Sequence, residues 1–181
     1  YQKSISGSKK INSVYFTPQT AYLACDFGIV ALNIKKKEFT ETYVLNTDDN
    51  SPEILGVLVA NDSIYAITKR NLFVANIKSN LINYQNWTNL NIPDNNYDNV
   101  KIEFIDNVLY LLKSNKNLYK YENNTWKLYK SAIKNISYND GYTFLVDSNN
   151  KLSTIKDNKT KFLSDNAVDG IFDKDENKLW Y

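Results

Sequence analysis

The side chains that most often do chemistry are sparse in this sequence, and one type is missing. There is no histidine, which removes the commonest metal ligand and the side chain best suited to moving protons near neutral pH. The single cysteine, Cys25, therefore has no Cys–His partner for nucleophilic catalysis, and a lone thiol makes no disulfide framework. It reads as a small buried residue. Paired carboxylates could act on a glycosidic bond, but no motif singles out a pair from the 20 acidic residues. The run Asp173-Lys174-Asp175-Glu176-Asn177 spaces its oxygen ligands as a calcium loop does. The glycine needed at its sixth position is Lys178, and no bidentate Glu follows, so it reads as a solvated hairpin turn. No catalytic residue, metal ligand or cofactor is expected.

Binding chemistry is better supplied. Lys35-Lys36-Lys37 with Lys9-Lys10 could form a basic patch for phosphate or sulfate, although Glu38 and Glu41 dilute it and a solvated turn is the plainer reading. Fourteen tyrosines and three tryptophans could stack on sugars or bases. Most of them fall at repeated positions that suit a core. Tyr84, Trp87, Tyr97 and Trp126 fit core positions less well, in or near the longer connections, and Trp87, Tyr97 and Trp126 are the candidate ligand contacts. Asp62-Ser63-Ile64 is similar to a three-residue O-glycosylation signal of the Bacteroidetes, placed where a buried strand is expected to start. Asn-x-Ser/Thr triplets also occur, as chance dictates with 27 asparagines.

These residues must be held by a chain of 181 residues, 43% hydrophobic, with a net charge of +2. That is enough apolar side chain to bury a core, and too little charge imbalance for disorder. It also gives no general pull towards nucleic acid or anionic membrane. The longest apolar run, Ile54 to Ala60, is far short of the roughly 20 residues of a membrane-spanning helix. Methionine is absent, so the chain is expected to be a processed or excised piece, with any signal peptide outside it. Lysine, asparagine, isoleucine and tyrosine are used heavily, as an AT-rich genome would encode.

A repeat runs through the chain. Aromatic landmarks stand at Tyr22, Tyr65, Tyr110, Phe144 and Trp180, separated by 43, 45, 34 and 36 residues. Seven or eight residues after the first four come Ile29, Leu72, Leu118 and Leu152, each opening a second short apolar run. A strand precedes each aromatic, as at 11–16, 54–60, 100–105 and 136–138, and another closes the unit, as at 39–45 and 125–129. Turns such as Asn61-Asp62, Asp106-Asn107, Asn123-Asn124, Asn139-Asp140 and Asp157-Asn158 join them. Asn and Asp tolerate left-handed backbone angles, so they can replace glycine here. Runs of four to seven residues rich in Val, Ile, Tyr and Phe read as strands, and no segment reads as a capped amphipathic helix. Four strands per 35 to 45 residues is the period of a propeller blade, against the alternative of a sandwich or long meander. The expectation is an all-β β-propeller over residues 1–181: four complete four-stranded blades at about 9–49, 50–98, 99–133 and 134–166, plus partial blades, the last at 167–181. Beginning and ending within a blade, it is expected to be part of a larger propeller.

The first blade carries a family resemblance. Ser6-Gly7-Ser8-Lys9-Lys10-Ile11-Asn12, Ala21-Tyr22-Leu23-Ala24, Asp26-Phe27-Gly28-Ile29-Val30 with Leu32-Asn33, Lys36-Lys37-Glu38 and Thr42-Tyr43 resemble a blade of the amino-terminal propeller of the PorZ family, surface-associated proteins of the Bacteroidetes type IX secretion system. The match covers roughly residues 4–45; beyond it the similarity is one of pattern. The resemblance implies an exported protein of the periplasm or outer-membrane surface, not an enzyme. It implies as partners the PorU-type sortase and the PorV and PorQ barrels of an attachment complex, with anionic lipopolysaccharide as ligand. It carries over no contact residue, because the matched positions are blade framework. Asp175 to Trp180 is similar to the two-component-regulator propeller repeat, which would imply instead an oligosaccharide-sensing periplasmic domain of a hybrid histidine kinase. The Gly-Leu and Trp-x-Gly-Thr parts of that repeat are missing from the other blades.

Overall fold

Asparagine and aspartate do the turning that glycine does elsewhere. Asn61 and Asp62 have φ of 46° and 59°, Asp106 and Asn107 48° and 63°, Asn123 and Asn124 51° and 59°. Two left-handed residues in succession make the tight hairpin turn whose twist matches that of the flanking strands. Other turns close on an Asn or Asp side chain: Asn33 Oδ1 accepts from the Lys36 N–H, and Asp147 Oδ1 from those of Asn149 and Lys151.

The structure, a computed structural model, describes residues 8–45, 52–139, 141–156, 159–173 and 178–180. Residues 174–177 of the acidic run, Asp140 and the Asp157-Asn158 turn lie outside them. The chain divides into two compact units, residues 1–95 and 96–181.

The first unit holds two antiparallel four-stranded sheets. One is built from β1 (Ile11–Phe16), β2 (Thr20–Cys25), β3 (Gly28–Asn33) and β4 (Glu38–Tyr43), the other from β5 (Gly56–Ala60), β6 (Ser63–Ile67), β7 (Leu72–Asn76) and β8 (Thr88–Leu90), each in sequence order. In the first sheet the two middle strands are the buried ones, and the flanking strands are more exposed. Tyr22, Ala24, Ile29, Ala31 and Tyr43 of the first sheet pack with Ile54, Val57, Ile64, Ala66, Ala75 and Trp87. Each large apolar side chain fully buried in this way contributes about 1.5–3 kcal/mol. Polar cross-links set the alignment: Asn12 Nδ2 donates to Asp26 Oδ1 and to the Ile54 carbonyl, both at 2.9 Å, and Tyr15 Oη donates to the Val59 carbonyl at 3.0 Å. The opposite face of the first sheet carries a row across all four strands, Phe16, Ala21, Leu32 and Phe39. Its two end residues are 69% and 72% exposed.

The second unit repeats the plan. β9 (Asn99–Ile105), β10 (Val108–Lys113), β11 (Leu118–Glu122) and β12 (Thr125–Lys130) form one sheet; β13 (Ile133–Asn139), β14 (Tyr142–Asp147), β15 (Leu152–Lys156) and β16 (Lys159–Ser164) form the next; β17 (Ile171–Asp173) and β18 (Lys178–Trp180) pair beyond them. Ile105, Leu112 and Leu118 meet Ile133, Ile136 and Leu145 between the two four-stranded sheets. Phe144, on the other face of β14, joins Val146, Leu152 and Ala167. Gly170 lies so close that a Cβ there would sit 2.8 Å from the Phe144 ring. Lys113 is buried at the end of β10, its Nζ donating to Asn99 Oδ1 at 2.8 Å. In three of the four sheets the third and fourth strands pair with a register shift, which bends the outer strand and increases twist.

The tightest backbone approach is at Gly28, after the Asp26-Phe27 turn. Its φ is 142°, and a Cβ there would stand 2.3 Å from the Tyr43 carbonyl oxygen. Gly28→Ala is expected to cost more than about 2 kcal/mol from strain and displacement of β4. Gly141→Ala, at φ 81° but with open space around it, should cost about 1 kcal/mol. Denaturant melts of the two variants test this; equal losses would show that backbone angle alone, not the contact with Tyr43, governs Gly28.

Candidate functional site

The two tight turns Asp106-Asn107 and Asn123-Asn124 bring the ends of β9–β10 and β11–β12 to the same end of their sheet. Directly opposed residues on neighbouring strands share a face, so Tyr110 and its partners Glu103 and Lys120 point the same way. Glu122, two residues past Lys120, joins them by strand alternation. Facing them are Ile136 of β13, Thr143 and Leu145 of β14, and Ile155 of β15. Between the two sheets lies a cleft of about 280 Å³, with Ile105, Val108, Ile136, Leu145 and Ile155 as apolar lining and Asp106, Tyr110, Lys120, Glu122, Tyr129 and Thr143 as its polar groups.

The polar groups are organised. Lys120 Nζ is 2.9 Å from Glu122 Oε1 and 5.7 Å from the centre of the Tyr129 ring, placing one ammonium between a carboxylate and an aromatic face. Tyr129 meets Tyr110 edge-to-face, centroids 5.5 Å apart, a favoured arrangement of two ring quadrupoles. Burial pushes the Tyr110 phenol up to about 12, helped by Tyr129, Glu122 and Asp106. Beside the cleft, burial also raises the Glu103 carboxyl, against the pull of Lys101 at 3.2 Å, and Asp169 adds to the rise. Asp169 in turn accepts from Ser137 Oγ. The site offers two phenols, a cation and two carboxylates over an apolar floor. Among the described residues no three His, Cys, Asp or Glu side chains group as metal ligands.

The aromatics singled out from sequence are placed elsewhere. Trp87 is in the core of the first unit rather than on a surface: it is 8% exposed, packs against Tyr43 with centroids 6.4 Å apart, and donates its Nε1–H to the Leu81 carbonyl. A short 3-10 turn at Tyr84–Asn86, capped by Asn83, folds the long connection back so that this ring points inward. Tyr97 is 46% exposed. Trp126 is half-buried on β12 against Tyr121, centroids 5.0 Å apart, on the sheet face turned away from the cleft. Its Nε1 is buried without a hydrogen-bond partner. Neither Tyr97 nor Trp126 lines the cleft. Lys35, Lys36 and Lys37 form an exposed turn. Ser63 opens β6, paired with Ala60 and Asn76. Cys25 is buried, and burial raises its thiol. Lys120 and Glu122 were not anticipated. Their signal is Tyr119-Lys120-Tyr121-Glu122, in which charges on alternate residues of an inner strand must share one face.

Repeated four-stranded antiparallel sheets of this kind define the chain as a β-propeller. Known proteins agree. The family described as the PorZ N-terminal β-propeller domain of the type IX secretion system matches residues 1–88. The solved structure of PorZ, an essential surface component of that system in Porphyromonas gingivalis, superposes with a TM-score of 0.67 at 20% identity over 84% of this chain. The N-terminal domain of Nup159 superposes with a TM-score of 0.61 at 9% identity, over 87% of this chain and 44% of that one. The computationally designed protein Ika4 gives 0.56 at 11% identity, over 89% and 96%. No curated protein matches by sequence. The chain is thus similar to the PorZ propeller over its first 88 residues and shares its fold over most of its length, and it spans 20% of the length of the P. gingivalis protein.

The buried phenol of Tyr110 gives a test of the cleft. A folded-state value raised to about 12 keeps the proton on in the fold after the unfolded chain has lost it near 10. The stabilisation is complete below pH 10 and disappears as pH rises towards 12. In a titration of tyrosine absorbance, Tyr110→Phe is expected to remove one late-ionising group and to shallow the loss of stability across that window. An unchanged late phase would place Tyr110 in water.

Proposed function

We propose that this chain is a non-catalytic binding and scaffold propeller of type IX secretion, exported to the periplasm or outer-membrane surface. In this reading it holds the protein partners of an attachment complex, a PorU-type sortase among them, and anionic lipopolysaccharide. The observation that carries it is the family match over residues 1–88. The cleft agrees with it: ion-paired, aromatic and lined by apolar side chains, it has the make-up of a recognition site. A glycan would use exposed ring surface, which Tyr97 supplies and to which half-buried Trp126 adds the open part of its ring. Trp87 would act on such a surface only from beneath, as core.

The test uses the full-length protein in its own cells and in purified form. Deleting the gene is expected to abolish attachment of secreted cargo to the surface, and the purified protein to retain lipopolysaccharide and a PorU-type sortase. Tyr97→Ala should weaken lipopolysaccharide retention about two- to tenfold, the range of a lost aromatic contact, with no change in melting temperature. Normal cargo attachment in the deletion strain, with neither partner bound in vitro, would overturn the reading.

A further inference from the structure

The sign of the charge in the cleft says what it can accept. Two carboxylates, Asp106 and Glu122, and one ammonium, Lys120, stand among its lining residues. Lys120 is committed to Glu122 at 2.9 Å, so the carboxylate left over is that of Asp106, exposed at the turn beside the opening. Lys127, across from Lys120 on β12, is exposed and does not line the cleft. Lys101 is engaged with Glu103. Counted over the lining, two carboxylates against one ammonium leave the cleft with one negative charge in excess. An anionic sugar would meet repulsion here. The shape fits a different guest: the lining of Ile105, Val108, Ile136, Leu145 and Ile155 suits an aliphatic stem, the tyrosine faces suit a cation, and Asp106 offers it a charge-assisted hydrogen bond.

We propose that this cleft receives the charged end of a lysine or arginine side chain presented by a partner protein, its stem lying on the apolar lining and its cationic head between Asp106 and the Tyr110 ring. The proposal rests on the reading of the chain as a scaffold for a protein partner and assigns where that partner inserts. It also separates the protein contact from the lipopolysaccharide contact, which needs the opposite charge.

The full-length protein is titrated with acetyl-Gly-Arg-Gly-amide and acetyl-Gly-Lys-Gly-amide, following the methyl resonances of Ile136, Thr143 and Leu145 by NMR. Saturable shifts at these residues are expected, weakened at least fivefold by Asp106→Asn and by raised salt. Lys120→Gln provides the sign test. It releases Glu122 and removes a competing cation, so it should tighten the basic peptides at least threefold, whereas a site for anions would lose affinity. Acetyl-Gly-Glu-Gly-amide and glucuronate should not bind. Glucosamine is the control for a cationic sugar as the true guest. The proposal is overturned by absence of saturable shifts with either basic peptide, by weakening on Lys120→Gln, or by glucosamine binding where the peptides do not. None of these results bears on lipopolysaccharide or cargo attachment, so the cleft can fail while the secretion reading stands.

Discussion

A four-stranded sheet with apolar side chains on both faces cannot be stable by itself, and this protein is built from such sheets. Each needs a neighbour on either side. Tyr22, Ile29 and Ala31 have theirs in Ile54, Ile64 and Ala66; Leu112 and Leu118 in Ile136 and Leu145; Phe144 in Ala167, with Gly170 kept bare to let the ring approach. The polar cross-links from Asn12 and Tyr15 are secondary to this. They align sheets that burial has already brought together, and hydrogen bonds from Ser8 and Asn12 hold Asp26 below the usual carboxylate range. The cleft arises from the same constraint locally relaxed. Tyr110, Lys120, Glu122 and Tyr129 stand where the two sheets leave a cleft, and the charged pair and the rings occupy its margin.

Much of this was legible in the amino-acid order, because strand and turn carry local signals. The hairpins at Asn61-Asp62, Asp106-Asn107 and Asn123-Asn124 were read from residue type alone, since few side chains accept two left-handed angles in a row. The strand before each aromatic landmark was found within a few residues. What was misread depended on distant packing. Trp87 lies in a connection too long to look like framework, and only the 3-10 turn before it and the presence of Tyr43 explain why it is core. Tyr110 was taken for a core landmark like Tyr22; it does pack against the core of the second unit, and it also borders the cleft. No local pattern reports the size of a partner on another sheet.

The family match and the cleft occupy different parts of the chain. The match ends at residue 88, while every residue lining the cleft lies between Ile105 and Ile155. The family match therefore falls in the first unit and the cleft in the second. That division is natural for a repeat fold. Blade framework is constrained by packing on both faces, whereas side chains that border a gap between sheets answer also to whatever binds there.

Trp87 has a consequence of another kind. It is the one tryptophan of residues 1–95, Trp126 and Trp180 being the others. Buried indole emits towards the blue and shifts red on contact with water, and Tyr43, 6.4 Å away, is close enough to pass it excitation energy. With the other two tryptophans replaced by phenylalanine, the protein would carry a built-in optical reporter at the junction of its first two sheets. The parting of those sheets could then be timed without attaching a dye.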